Sequence, residues 1–295
     1  VLMDLDIIRR RRPFPNLALM KLSAYHKARG DEVALNFPLL EAQRTYASCV
    51  FTWNKKRSIG LWNNVVIGGS GIDLDKELPL EVEHIMPDYN LYPDVNFSLG
   101  FTSRGCIRKC PWCIVPEKEG RIKLWARIYE FWDRRHRRIV LLDNNLLAAP
   151  NWHQTMEDLL AENLEVDFNQ GLDIRLLSDE IVDYLKRIKV RQLRFAFDDI
   201  AYENAIRKGI ELLTENGVAS RKLFFYVLYG FGDDKSALER VKILNSYNVD
   251  IYPMAYKASD GKEPKREMVY HESEFWHGPP GNKKKFLRLM GRLPE

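Results

Sequence analysis

The chain has 295 residues, with 45 lysines and arginines against 41 aspartates and glutamates, for a net charge of +4. With 45% hydrophobic and 29% charged residues it reads as an ordinary soluble globular protein, long enough for two domains. No apolar run approaches the roughly 18–20 residues that span a bilayer, which argues against a membrane partner, and +4 is too little to hold nucleic acid by overall charge alone.

The N-terminal stretch Val1-Leu2-Met3-Asp4-Leu5-Asp6 is strand-like, and because the chain opens inside it a few residues are expected upstream. A helix is expected over residues 15–29, ended by Gly30, with a strand starting at Val33-Ala34-Leu35. Val65-Val66-Ile67 reads as another strand, running into the turn Gly68-Gly69-Ser70-Gly71. These alternations predict a Rossmann-like α/β domain over residues 1–90, with Pro79, Pro87 and Pro93 marking its connection onward. The turn lacks the full G-x-G-x-x-G pattern and is followed by Asp73, Asp75 and Glu77, which would repel phosphate. A plain tight turn is therefore expected there. Cys49, within Tyr46-Ala47-Ser48-Cys49-Val50, reads as a buried apolar cysteine.

Three of the four cysteines fall in Cys106-Ile107-Arg108-Lys109-Cys110-Pro111-Trp112-Cys113, a C-x3-C-x2-C spacing. Three thiolates on one loop suit three irons of a [4Fe-4S] cluster, leaving one iron for a ligand that is not protein. Structural zinc commonly uses a second pair of ligands, and no second C-x2-C exists here. Zinc and incidental thiols stay open as alternatives. The pattern is not a secreted disulfide framework, so a reducing cytoplasm is expected.

Beyond the cysteines the segments alternate. Strands are expected over residues 96–102, 139–142, 164–168, 192–197, 223–228 and 249–254. Helices are expected over residues 123–135, 152–162, 179–186, 202–215 and 235–246, with Ser178 as a cap and Asn216-Gly217 as a stop. Such repeats imply parallel strands with helices outside, too few for a closed barrel.

The cysteine spacing, with Trp112 before the third cysteine, resembles the radical S-adenosylmethionine (SAM) enzymes. The resemblance covers roughly residues 96–257. It implies an α/β fold, a Rossmann-like domain followed by a partial (β/α)6 TIM-type barrel over residues 91–260, with a C-terminal extension over residues 261–295. It implies a [4Fe-4S] cluster on Cys106, Cys110 and Cys113, and SAM bound at the open iron with Trp112 beside the adenine. Reductive cleavage of SAM would then generate a 5′-deoxyadenosyl radical for substrate modification. Further SAM contacts are expected at the strand ends. Asp143, Asn144 and Asn145 stand where the family often has Gly-Gly-Glu, Gln170 and Asp173 would reach the ribose hydroxyls, and Arg175 a carboxylate. Asp173 and Arg175 read equally well as a structural ion pair. Asp198 and Asp199 follow the fourth strand, as SAM contacts or as helix caps, and Tyr229 and Gly230 the fifth, where glycine would let backbone approach the adenine.

A domain placed before such a barrel, with residues 15–21 and the Gly68-Gly69 turn, resembles the cobalamin-binding subclass. That implies cobalamin as an optional cofactor, although the D-x-H-x-x-G motif is absent. The resemblance also implies an electron donor such as flavodoxin or ferredoxin. The substrate is not readable. The basic runs Arg9-Arg10-Arg11-Arg12, residues 134–138 and Lys283-Lys284-Lys285 tilt toward nucleic acid or a phosphorylated substrate, against the plainer reading of solvated faces. The competing function is a non-catalytic iron–sulfur or zinc protein that binds nucleic acid or another partner. The stretch 275–281, rich in proline and glycine, is expected to close over the barrel or to be a surface loop.

Overall fold

A computed structural model describes residues 1–6, 14–36, 41–58, 65–231 and 234–256. The expected C-terminal extension, the stretch 275–281 and the basic runs at 9–12 and 283–285 lie outside the described residues.

The first unit is a parallel sheet in the order β1 (Leu2–Asp4), β2 (Thr45–Ser48), β3 (Val65–Gly68). Helix α1 (Leu17–Lys27) crosses between β1 and β2. Asn16 starts it by accepting the N–H of Leu19, and Gly30, at φ +85°, follows its end. The expected strand at residues 33–35 is reduced to a single bridge between Leu35 and Leu2. Asn36 turns the chain away there at φ +56°, and its side chain accepts the N–H of Asp4. A short helix, α2 (Leu80–Glu83), leads onward.

The second unit begins with β4 (Ser98–Gly100), and its short ribbon of β5 (Ser103–Arg104) and β6 (Lys123–Leu124) is antiparallel. Helix α3 (Val115–Lys118) lies between the two ribbon strands. Strands and helices then alternate: β7 (Arg138–Leu141), α4 (Trp152–Ala161), β8 (Glu165–Phe168), α5 (Asp179–Arg187), β9 (Lys189–Val190), β10 (Leu193–Ala196), α6 (Glu203–Glu215), β11 (Leu223–Tyr229), α7 (Asp234–Ser246), β12 (Asp250–Ala255). The parallel orders are β4-β7-β8-β9 and β10-β11-β12. Only Arg191 and Gln192 separate β9 from β10, so one extended stretch pairs with β8 at its start and β11 at its end. Arg138, Asp167 and Arg194 form a salt-bridge ladder across β7, β8 and β10.

The helix expected over residues 123–135 does not form. Trp125 and Ala126 both direct their N–H groups to the carbonyl of Thr102, which fixes them beside the ribbon, and only a 3-10 turn follows at Ile128–Glu130. The apolar spacing there has another cause. Ile128, Phe131 and Trp132 fill the core next to β4, and a side chain at Gly100 would collide with the Phe131 ring.

Two apolar layers sandwich β7. Ile139 and Leu141 join the large core under the four helices, with Met156 and Leu159 of α4, Ile181 and Leu185 of α5, Ile206 and Ile210 of α6, and Val241 and Leu244 of α7. Val140 and Leu142 point the other way, into a second core with Leu2, Leu19, Met20, Val82 and Tyr89 of the first unit. Burial on both faces explains why β7 reads as an unbroken apolar run. Each such side chain contributes roughly 1.5–3 kcal/mol. Among the described residues no helix is long and apolar enough to cross a membrane.

Candidate functional site

The cysteine loop leaves β5 at Gly105, whose φ of +83° and close approach to the carbonyl of Arg121 leave no room for a side chain. Cys106 and Cys110 are half-buried and Cys113 is exposed, and all three thiols are free. The loop folds over itself, with the N–H of Cys113 on the carbonyl of Cys110 at 3.0 Å. Sulfur atoms receive three donors. The N–H of Arg108 and Nδ2 of Asn145 reach Cys106 Sγ at 3.3 and 3.4 Å, and the N–H of Val115 reaches Cys113 Sγ at 3.5 Å. Burial, then the neighbouring Cys113, pushes the Cys110 thiol up, with Arg175 opposing. Burial also pushes up Cys113, against the N–H of Val115.

The ends of the other strands close on this loop. After β7, Asp143 is fully buried and its Oδ1 accepts from the hydroxyls of Thr102 and Ser103 at 2.7 and 2.6 Å, and from the N–H of Ser103 at 2.5 Å. Asp143 therefore braces the loop entrance and has no side open to a ligand. Burial pushes its carboxyl up, and these bonds pull the other way. Asn144 Oδ1 accepts the N–H of Gly105 at 3.2 Å. Asn145 is buried, and its Nδ2 also reaches Asp173 at 3.3 Å, while its Oδ1 has no partner.

After β8, Gln170 is exposed at the turn. Asp173 takes a bidentate pair from Arg175, at 2.6 and 3.0 Å, and a third bond from Arg108 at 3.0 Å. Burial alone would raise the Asp173 carboxyl, but Arg175 and then Arg108 hold it below the usual range. The ion-pair reading of Asp173 and Arg175 thus describes the geometry, with Arg108 of the cysteine loop as a third member. The Arg175 guanidinium also lies 4.3 Å from the centre of the Tyr202 ring.

After β10, Asp198 accepts the N–H of Leu228 at 3.1 Å, and burial pushes its carboxyl up, with that N–H, Arg240 and the nearby Trp112 side chain opposing. Asp199 is a cap, accepting the N–H of Ala201 at 3.0 Å. After β11, Tyr229 is buried and Gly230 turns at φ +79°. Phe231 meets Trp112 edge to face, 5.6 Å between centres, and Tyr256 at 4.9 Å.

Some contributors gave no sequence signal. Arg240 of α7 is buried and donates to the carbonyls of Phe197 and Leu228 at 2.6 and 2.8 Å, fixing the strand ends that carry Asp198 and Tyr229. Arg104 forms a bidentate pair with Glu119 and contacts Glu83, which in turn takes Lys21 of α1 at 2.6 Å. Only the donor and acceptor types were visible in advance, because their partners lie on distant segments. Cys49 is fully buried, its thiol pushed up to about 11 by burial and then by Asp6. The basic run at 134–138 is largely used internally. Arg135 pairs with Asp133, Arg138 with Asp167, and His136 contacts Ser98.

Among the described residues no group of three or more His, Cys, Asp or Glu side chains could hold a metal ion. A lone zinc ion needs its sulfur donors to converge at about 2.3 Å from one point. A cluster gives each thiolate its own iron, so its sulfurs stand apart. The three free thiols on one loop do not meet the first demand, and two of them accept N–H or amide donors. No family model and no curated protein matches this chain.

Proposed function

We propose that the chain is a radical SAM enzyme, with a [4Fe-4S] cluster on Cys106, Cys110 and Cys113. The observation that carries this reading is the convergence of strand ends on the cysteine loop. Asn144 and Asn145 after β7, Asp173 after β8, Asp198 after β10 and Phe231 after β11 all bond to or touch it. Sites in parallel α/β sheets lie at the C-terminal ends of strands, and here those ends are joined to three thiols. In this reading the parallel run from β4 to β12 is a partial TIM-type barrel and residues 1–90 a Rossmann-like domain before it, in a cytoplasmic protein.

When bound, the cluster would supply one electron to SAM, splitting the sulfur–C5′ bond into methionine and a 5′-deoxyadenosyl radical. The protein's own groups hold and shield. Arg108 and Val115 N–H and Asn145 Nδ2 donate to sulfur and stabilise thiolate charge. The unpaired Asn145 Oδ1, buried beside Cys106, is the acceptor for a donor such as the SAM amino group. Trp112 lies near Asp198 and meets Phe231 edge to face, which sets its indole one residue before the third cysteine. Gln170 lies at the exposed edge, where a ribose would be open to solvent.

The test is anaerobic reconstitution followed by reduction with dithionite. The expected product is brown protein with about four irons per chain that releases 5′-deoxyadenosine from SAM. Alanine at any one of the three cysteines should abolish both properties. A colourless zinc-loaded protein, or a triple alanine variant that still holds about four irons, overturns the reading.

A further inference from the structure

The cysteine loop holds a second chemistry, between two of its own thiols. Cys110-Pro111-Trp112-Cys113 is a C-x2-C pair, and the N–H of Cys113 donates to the carbonyl of Cys110 at 3.0 Å. A backbone hydrogen bond of that span closes a β-turn, which keeps the two end Cα atoms within about 7 Å. A disulfide spans roughly 4.4–6.8 Å between Cα atoms. Pro111 stands at the second position of the turn, where its fixed φ of about −65° is the one the turn needs. Backbone and proline therefore set the turn, whatever the sulfurs carry.

The two thiols are neighbours with different access. Burial first, and the charge of Cys113 next, pushes the Cys110 thiol up. Cys110 is half-buried and Cys113 is exposed. An exposed thiol meets a reagent from solution, and a half-buried one beside it is placed to resolve the adduct. Cys113 Sγ accepts only the N–H of Val115, at 3.5 Å, and among the described residues no donor reaches Cys110 Sγ.

The other two cysteines are held apart from this pair. Cys106 Sγ accepts the N–H of Arg108 at 3.3 Å and Nδ2 of the buried Asn145 at 3.4 Å, which anchor it at the base of the loop. Cys49 is fully buried in the first unit, packed with Leu5 and Ala47, and its thiol donates to the carbonyl of Phe51 at 3.2 Å.

We infer that, when no metal occupies the loop, Cys110 and Cys113 form a reversible disulfide by exchange with a low-molecular-weight disulfide. The Cys113 thiolate attacks one sulfur of the small disulfide, whose S–S bond breaks and releases one small thiolate. The Cys110 thiolate then attacks Cys113 Sγ, and the second small thiolate leaves. The protein gives up two electrons and two protons, and the small disulfide becomes two thiols. The joined pair offers no thiolate to a metal, so its state decides whether the loop can be loaded. That consequence rests on the proposed function; the disulfide itself does not.

The test takes the full chain, stripped of metal by a chelator, through glutathione buffers of rising oxidised-to-reduced ratio, then traps free thiols with a maleimide. Two of the four thiols should disappear together, and the chain should lighten by two hydrogens. Peptide mapping should join Cys110 to Cys113, leave Cys106 labelled, and find Cys49 labelled only after unfolding. Dithiothreitol should restore both thiols. Cys106→Ala should close the same pair, and Cys110→Ala should stop at a glutathione adduct on Cys113. Pro111→Gly should lower the equilibrium constant for closure about 2- to 5-fold, because glycine gives the open loop more conformations to lose. Pro111 is exposed, so its replacement should leave the melt unchanged. A lasting glutathione adduct in the wild type, a pair that includes Cys106, or survival of all four thiols overturns the inference. Unchanged closure in Pro111→Gly overturns the part given to the turn. A disulfide in a chain that never loads iron would sink the radical enzyme and keep the pair, and iron loading without a disulfide in the stripped chain would do the reverse.

Discussion

After β2 the chain is held largely from the end of β1, by Asp6 and by the Leu5 carbonyl, which accepts from Arg57. After β4 it is held by side chains from the ends of β7, β8, β10 and β11, with Arg104 and Glu119 closing the base. The first loop leaves Phe51 and Trp53 about half exposed; the second turns its polar groups inward around three thiols. A loop tied to one strand end can leave large side chains exposed. A loop tied at many points keeps its groups in register with all of those strands, which a reaction centre needs.

The comparison can be broken at the stronger loop. Asp143→Ala should cost the most. It leaves the hydroxyls and N–H groups of Thr102 and Ser103 without an acceptor where both residues are fully buried. A loss of about 3 kcal/mol or more is expected in a urea melt, because each buried polar group left unpaired costs ~1–3 kcal/mol. A loss under ~1 kcal/mol would show that the brace is dispensable. Glu119→Gln comes next, at about 2 kcal/mol, since Arg104 keeps Glu83 when its main partner is gone. The same melt reports it, and thiol-labelling rates at Cys113 should rise as the loop loosens. Unchanged labelling would separate the ion pair from the cysteines.

The smallest effect sharpens the contrast from the first unit. Burial opposes ionisation of Asp88, but the side chains of Lys27 and Ser23 outweigh it and hold the carboxyl below its usual range. A carboxyl lowered on folding adds stability above its unfolded value, about 3.9, and loses it as pH falls through the folded value. Asp88→Asn should therefore flatten the acid limb of the stability curve below about pH 4 and change little at lower proton concentration beyond the loss of the pair. An acid limb identical to wild type would place the titrating groups elsewhere.

Much of the alternation was legible, because β7 and β11 are near-continuous apolar runs, β8 and β10 alternate apolar with polar residues, and α4 to α7 carry helical spacing with caps such as Ser178. Residues 123–135 misled because apolar spacing reports burial and not backbone form. Ile128, Phe131 and Trp132 are buried while Trp125 and Ala126 bond outside any helix. Strand β2, with Thr45, Tyr46, Ala47 and Ser48, lacks the apolar signal that marks a strand. At the site the cysteines were legible from spacing alone. The role of Asp143 was not, since its donors lie some forty positions away, and neither was Arg240, whose acceptors are backbone carbonyls.

The second apolar layer on β7 also sets an order of events in folding. The four helices pack on strands close to them in the chain, so that layer closes with short loops. Leu2, Leu19 and Met20 meet Val140 and Leu142 only after more than a hundred intervening residues have been made. Long closures cost more entropy and come late. Residues 2–20 thus leave the ribosome well before β7 and are among the last to be buried, and their apolar side chains wait exposed until β7 exists to receive them.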